Sequence, residues 1–352
     1  MKNQNNKKMP AIQLGKKAVS LAGPSYIIAE IGSNHDRKYK QAVALIDVAK
    51  EAGADAVKFQ TFKAETLYSR FTPIFSNQKE KPFDIIKRIE MPWEWHADLK
   101  AYCDKIGIDF CSTPFDLDAV DVLEKIKVPF YKIASSEIDD VLLLEKIART
   151  RKPVVVSTGK ASLSEVKRTM VFLKSKNSGP VALLHCVSQY PAIYSDVHLR
   201  SMCTLERTFK TVIGFSDHTL DNIAAVGAVA LGARIIEKHI TVSRKLPGPD
   251  HHYALEPKDL KSLVKDIRSL ETCFGSSIKD VRASEAEDKL LGTRSIHAAV
   301  AIAAGKTITR TMIFIKRPAL GITPWKLNQV IGKKAKRAIN ADQWITKDMI
   351  AS

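Results

Sequence analysis

Eight short apolar runs stand between residues 26 and 241, and amphipathic stretches separate them. They are YIIAE (26–30), AVKFQ (56–60), IDFCST (108–113), FYKIASS (130–136), PVVVSTG (153–159), VALLHC (181–186), TVIGFSDHT (211–219) and ARIIEKHIT (233–241). Each reads as a strand buried on both faces, because its apolar residues are nearly continuous. The stretches 40–52, 93–105 and 258–273 read as helices, and Gly53 and Gly107 follow the first two as terminators. Eight strand-plus-helix units predict an α/β chain folded as a (β/α)8 TIM barrel. An open doubly wound sheet is the alternative, but it usually carries G-x-G-x-x-G after its first strand. Here Ile31-Gly32-Ser33-Asn34-His35 follows instead.

The pattern changes after residue 274. A polar connector spans 275–292, and residues 293–352 are short strands and turns, expected to form a small β-rich domain. The barrel is expected over 21–274, preceded by a polar tail over 1–20.

Polar residues interrupt the apolar runs where each strand ends. The first ends in Glu30, the second presents Lys58 and Gln60, and the third ends in Ser112-Thr113. The fourth presents Lys132, Ser135 and Glu137, the fifth Ser157 and the sixth His185. The seventh ends in Ser216, Asp217 and His218. In the eighth, IIEKHITV, alternation puts Glu237 and His239 on one face and Lys238 on the other. One such residue is ordinarily a surface charge or a satisfied core group. Eight strands that all end in polar groups argue for one charged pocket at the C-terminal mouth of a barrel.

The residue types point to an anionic substrate. Lys58 and Lys132 supply charge, and Thr113, Ser135, Ser157 and Ser216 supply directed hydrogen bonds, as a phosphate-plus-carboxylate anion needs. His218 and His239, on adjacent strands, could share a divalent metal, for which imidazole suits Mn²⁺, Zn²⁺ or Co²⁺ better than Mg²⁺. Glu30, Glu137 and Asp250 remain to hold hydroxyls or move protons.

Charge and composition narrow the picture further. Among 352 residues the formal net charge is +17, but the basic residues are spread out. The densest run, GKKAKR (332–337), has no aromatic RNA-binding motif beside it, so nucleic acid is not the expected partner. No apolar run is long enough for a membrane span, and MKNQNNKKMP lacks the apolar segment of a secretory signal. Five cysteines without a C-x-x-C pair suggest reduced thiols and a cytoplasmic protein.

The motifs, in order, are IIAEIGSNH, AGADAVKFQTFKAE, STPFD, YKIASSEI, STGKAS, LLHCVSQYPA, GFSDHT, GARIIEKHIT, PGPDHH, ALEP and, near the C-terminus, KRPALGITP. With them the chain resembles the sialic acid synthase family, which includes the pseudaminic and legionaminic acid synthases, from Tyr26 to the C-terminus. The resemblance implies a TIM barrel followed by a small antifreeze-like (SAF) domain. It implies a domain-swapped homodimer in which the tail domain of one chain covers the barrel mouth of the other. It implies condensation of phosphoenolpyruvate with the open-chain aldehyde of an N-acetylated hexosamine, giving a nonulosonic acid and phosphate. By motif, Lys58, Thr113, Lys132, Ser135, Ser157, Ser188 and Ser216 would bind phosphoenolpyruvate. His218 and His239 would hold a divalent metal, manganese first, with Mg²⁺ or Co²⁺ as alternatives. Glu30, Gln60, Phe115, Glu137, Tyr190, Asp250 and Arg317 would face the sugar. Glu137 would carry proton traffic beside Glu30, and Glu237 would orient a metal-bound water.

Some positions depart from the family pattern. Ser188 stands where Asn is frequent, Lys160 where Met is usual, and Tyr253-Ala254 where a small residue and Ser are common. MPWEWH and YKIAS look like the pseudaminic branch, whereas AEIG and GPDHH look like the neuraminic and legionaminic branch. These leave the sugar open between N-acetylmannosamine and a diacetamido-trideoxyhexose. A metal-dependent aldolase on the same barrel is the competing enzyme class.

Overall fold

A computed structural model describes residues 10–76 and 79–351. The chain divides into two compact units, Met1–Phe274 and Gly275–Ser352.

The first unit opens with an antiparallel hairpin, β1 (Ala11–Leu14) and β2 (Lys17–Ser20). Eight parallel strands follow: β3 (Tyr26–Gly32), β4 (Ala56–Thr61), β5 (Asp109–Pro114), β6 (Tyr131–Ile133), β7 (Val154–Ser157), β8 (Val181–Cys186), β9 (Ile213–Asp217) and β10 (Ile235–His239). Ladders join them in the order β5-β4-β3-β10-β9-β8-β7-β6, and β5 packs beside β6 to complete the ring. The helices of this unit are α1 (Tyr39–Ala52), α2 (Ala64–Leu67), α3 (Pro82–Ile89), α4 (Trp95–Ile106), α5 (Leu117–Lys125), α6 (Val141–Arg149), α7 (Leu163–Ser175), α8 (Tyr194–Val197), α9 (Ser201–Phe209), α10 (Ile223–Ala230) and α11 (Pro257–Phe274). This is the eight-stranded TIM barrel that the strand count predicts.

Period-two alternation sorts each strand between two cores. Outward residues such as Ile27, Val57, Phe110, Tyr131, Val156 and Phe215 pack under the helices. Inward residues Tyr26, Ile28, Ala56, Cys111, Phe130, Val155, Ala182, Leu184 and Ile235 fill the barrel's N-terminal half. Strand for strand, the next inward positions are Glu30, Lys58, Thr113, Lys132, Ser157, Ser216 and Glu237. The polar pocket is therefore the layer above an apolar plug. Gly214 is needed in the barrel wall, where a Cβ would collide with Ile235 O and the Leu184 side chain.

The expected polar tail is corrected from Ala11 onward. Ile12, Leu14 and Val19 are buried and join the inner core, so the hairpin closes the barrel floor. AIQL-G-KKAV carries the signal: alternation on both sides of Gly15, whose φ of +54° makes the turn. The first nine residues of the expected tail lie outside the described residues.

Two buried histidines in the shell around the mouth predict an acid weakness. Burial pushes both His35 and His96 down to about 4. His96 Nε2 lies 2.7 Å from Thr61 Oγ1, and its Nδ1 lies 2.9 Å from Trp93 O. A lowered folded-state value favours the neutral ring, so this stability is complete above the unfolded value near 6.5. It is lost as pH falls towards 4, by up to about 3 kcal/mol per ring. The urea midpoint is expected to fall between pH 6.5 and 4.5, and less so in His96→Gln. Equal falls in the parent and the variant would remove His96 from this account.

The second unit contains α12 (Ala286–Gly292) and the antiparallel pair β11 (Ser295–Ala298) and β12 (Ile313–Lys316). Its own small core includes Ile296, Ile302, Ile308, Val330, Ile339 and Ile345.

Candidate active site

A cavity of about 280 Å³ opens at the C-terminal ends of the barrel strands. Its floor is a charge network. Lys58 Nζ lies 2.8 Å from Glu30 Oε2 and donates to Thr113 Oγ1 at 3.1 Å. Gln60 Nε2 donates to Glu30 Oε1 at 2.7 Å. Lys132 Nζ donates to Ser157 Oγ at 2.7 Å. Glu237 Oε1 accepts from Ser216 Oγ at 3.1 Å and stands 3.6 Å from Lys132 Nζ and 3.8 Å from Lys58 Nζ. Glu237 Oε1 therefore bridges the two lysines.

Burial sets how these groups hold their protons. It raises the Glu30 carboxyl from 4.5 to about 7, against the opposing pull of Lys58, with Glu237 adding to the rise. Lys58 lies above its ordinary value, because Glu237 and Glu30 outweigh its burial. Lys132 lies below its ordinary value, since burial dominates over Glu237. An anion brought to Lys132 would supply a counter-charge that the protein leaves incomplete.

Hydroxyls continue the wall. Ser135, Ser188 and Cys186 converge on Gly159, where a Cβ would overlap the Ser188 and Ser135 oxygens. The Gly159 N–H donates to Ser135 Oγ at 2.9 Å. Glycine here keeps a polar cradle open.

Across the mouth, the His218 and His239 rings lie 5.5 Å apart, with Tyr190 4.2 Å from His218 and Tyr253 5.1 Å from His239, centre to centre. His218 Nδ1 is 2.8 Å from Val187 O, so in the neutral ring that nitrogen carries the proton and Nε2 has the lone pair; burial works against the charged form, but Cys186 and the Val187 carbonyl hold the ring above the usual imidazole value. Burial, then His218 and Lys58, holds His239 far below the imidazole range, hence neutral. The Glu237 Oε2 atom is buried with no hydrogen-bond partner. The neutral His239 ring, His218 once it releases its second proton, and an orphaned carboxylate oxygen fit a divalent cation. Among the described residues no three His, Cys, Asp or Glu side chains converge as a complete metal site, so water or substrate would finish the shell. Asp250 accepts from Ser33 Oγ at 3.0 Å and lies 3.9 Å from His239 Nδ1.

Thus Glu30, Lys58, Gln60, Thr113, Phe115, Lys132, Ser135, Ser157, Ser188, Tyr190, Ser216, His218, His239 and Asp250 all line one cavity. Glu137 does not. Its neighbour Ser136 takes the wall position, while Glu137 is buried behind, with its carboxyl raised by burial. Arg317 is exposed in the second unit, after β12. Three of the polar strand ends face outward. Ser112 bonds Thr61 at 2.8 Å, His185 Nε2 meets Val197 O at 2.6 Å, and Asp217 pairs with Lys238 at 2.6 Å. The parity of β8 puts Cys186, not His185, in the cavity.

Residues that sequence reasoning did not place in the cavity include Cys186, Lys160, Tyr253 and the isoleucines 85, 86 and 89 of α3. The signal for the last was FDIIKRI, with Ile85, Ile86 and Ile89 on one helical face and Lys87 and Arg88 on the other.

Residues 45–279 match the NeuB family, and residues 293–351 match the SAF domain. An N,N'-diacetyllegionaminic acid synthase from Legionella pneumophila is 37% identical over 90% of this chain and 92% of its own length. A pseudaminic acid synthase from Helicobacter pylori is 33% identical over 93% of this chain and 98% of its own. The crystal structure of an N-acetylneuraminic acid (sialic acid) synthetase from Leptospira borgpetersenii is 36% identical, with a TM-score of 0.72. The match covers 80% of this chain and 95% of that one. The resemblance read from the motifs therefore holds along both units. The chain belongs to the NeuB family, with a C-terminal SAF domain.

Proposed function

We propose that this chain is a phosphoenolpyruvate-dependent nonulosonic acid synthase. It joins phosphoenolpyruvate to the open-chain aldehyde of an N-acetylated hexosamine, either N-acetylmannosamine or a diacetamido-trideoxyhexose, and releases phosphate by C–O cleavage. The observation that carries the reading is the pair of buried lysines, 3.6 and 3.8 Å from one carboxylate, ringed by hydroxyls. Such a floor suits a small molecule with both phosphate and carboxylate groups.

In this reading Lys58, Lys132, Thr113, Ser135, Ser157, Ser188 and Ser216 hold phosphoenolpyruvate. Glu30, Gln60, Tyr190 and Asp250 hold the sugar so that its aldehyde carbon meets C3 of phosphoenolpyruvate. A C–C bond forms, positive character develops at C2, water adds there, and the C2–O bond to phosphate breaks. The lysines offset the charge that gathers on the departing phosphate. Glu30, with a carboxyl near 7, is the group suited to exchange a proton with the sugar oxygen or the water. When bound on His218 and His239, a divalent metal, manganese first, would polarise the aldehyde as a Lewis acid. A domain-swapped homodimer would bring Arg317 of one subunit to the sugar end of the other subunit's cavity.

The test is phosphate release from phosphoenolpyruvate, with the product weighed by mass spectrometry. Release is expected only with an N-acetylated amino sugar and a divalent metal both present. Turnover of pyruvate in place of phosphoenolpyruvate would favour the aldolase reading instead.

A further inference from the structure

One wall of the cavity is not used by the chemistry above. Ile85, Ile86 and Ile89 of α3 are half-buried and line it, beside Phe115. The wall is firmly built. In the first turn of α3, Phe83 is buried, with the Arg70 guanidinium 4.2 Å from its ring centre. Just after α3, the buried Glu90 carboxylate accepts the Ala64 N–H at 2.6 Å. On the helix's outer face Lys87 pairs with Glu65 at 2.9 Å and Arg88 with Glu80 at 2.5 Å. Both cations of α3 are thus engaged away from the cavity. The lysines lining the cavity, among the described residues, are Lys58, Lys132 and Lys160, none of them on α3.

Chain order fixes which part of a substrate meets this wall. α3 belongs to the connection between β4 and β5, the second and third barrel strands. The imidazoles close the seventh and eighth strands, and the hydroxyl cradle spans the fourth to sixth. Glu30, Gln60 and Asp250 lie along the first and second strands and the loop after the eighth. A sugar with its aldehyde at the imidazoles and its hydroxyls on those three groups points its far end at α3.

We propose that Ile85, Ile86 and Ile89 form an apolar subsite that reads C6 of the sugar and selects a 6-deoxy substrate over its 6-hydroxy and 6-phosphate counterparts. The inference rests on the synthase reading and narrows its substrate class. A methyl group at C6 buries against the isoleucines. Among the described residues of this wall, a hydroxyl there loses water without gaining a partner, and a phosphate meets no cation.

The experiment compares three sugars that differ only at C6: N-acetylmannosamine, its 6-deoxy form and its 6-phosphate. Phosphate release is measured with the full chain at saturating phosphoenolpyruvate and metal. The kcat/KM for the 6-deoxy sugar is expected to exceed that for N-acetylmannosamine by about 10- to 100-fold, with the 6-phosphate lowest. Ile86→Asn and Ile89→Asn are each expected to shrink the 6-deoxy to 6-hydroxy ratio about fivefold or more, while Ile89→Val keeps it. A ratio of one or less in the parent, a preferred 6-phosphate, or a ratio unmoved by both asparagine variants overturns the subsite and leaves the synthase reading standing. No release with any of the three sugars overturns the synthase reading itself, and the subsite with it.

Discussion

Lys132→Met is expected to lower kcat/KM for phosphoenolpyruvate by about a thousandfold, or roughly 4 kcal/mol. Lys132 is buried, and burial outweighs Glu237 in setting its charge. Its strongest contact is neutral, the Ser157 hydroxyl at 2.7 Å, while Glu237 Oε1 stays 3.6 Å away. A bound anion would therefore meet a cation whose protein counter-charge is held at a distance, the case in which a charge-assisted contact is strong. Removing one partner of a buried charged pair typically costs about 2–5 kcal/mol.

The same substitution separates binding from folding. Without Lys132, Glu237 keeps Lys58 at 3.8 Å and Ser216 at 3.1 Å but loses its nearer cation. Stability is expected to fall, because a buried carboxylate has lost half of its counter-charge. The double variant Lys132→Met with Glu237→Gln removes both charges and is expected to recover most of that stability without recovering turnover. Urea unfolding and phosphate release on the same preparations give both readings. A kcat/KM within threefold of the parent would take Lys132 out of the anion site.

Much of this arrangement was legible in the sequence, and the limits have physical causes. Parity was readable where a strand carried two polar residues two apart, as in Lys58 with Gln60 and Glu237 with His239. It was not readable where consecutive residues were both plausible. In β8 both faces are covered, so the apolar run could not tell which face His185 takes, and only pairing with β7 and β9 decided that the Cys186 thiol faces inward in its place. Ser112 and Asp217 were ambiguous for the same reason. Glu137 lies beyond β6 in a turn of 3₁₀ helix, where strand alternation no longer applies. The isoleucine wall sat in the connection before residue 93, to which no helix was assigned, because α3 is only eight residues long. The hairpin was hidden by the polar residues around it, although Ile12, Leu14 and Val19 alternate across Gly15.

Adjacent residues of β10 should separate stability from activity. Lys238 faces outward and is buried, with Nζ 2.6 Å from Asp217 Oδ2, 2.6 Å from Thr219 O and 2.9 Å from Asp221 O. It ties β10 to the loop that carries His218. Lys238→Met leaves Asp217 charged in the core and two carbonyls without their donor, and is expected to cost about 3–5 kcal/mol of unfolding free energy. Replacing Asp217 by Asn as well removes the stranded charge and should return part of that loss, though the carbonyls stay unpaired. One position along, His239→Ala removes an inward imidazole. Its protein contacts are weak, Tyr253 Oη at 3.4 Å and Asp250 at 3.9 Å, so stability should move by about 1 kcal/mol. Metal-dependent phosphate release should disappear in that variant. The pair of outcomes is decisive because the two side chains are consecutive on one strand. Any general disturbance of β10 would move stability and turnover together, whereas alternation predicts that each substitution moves mainly one. Full turnover in His239→Ala, or an unaltered urea midpoint in Lys238→Met, would break the assignment of faces from which the site is built.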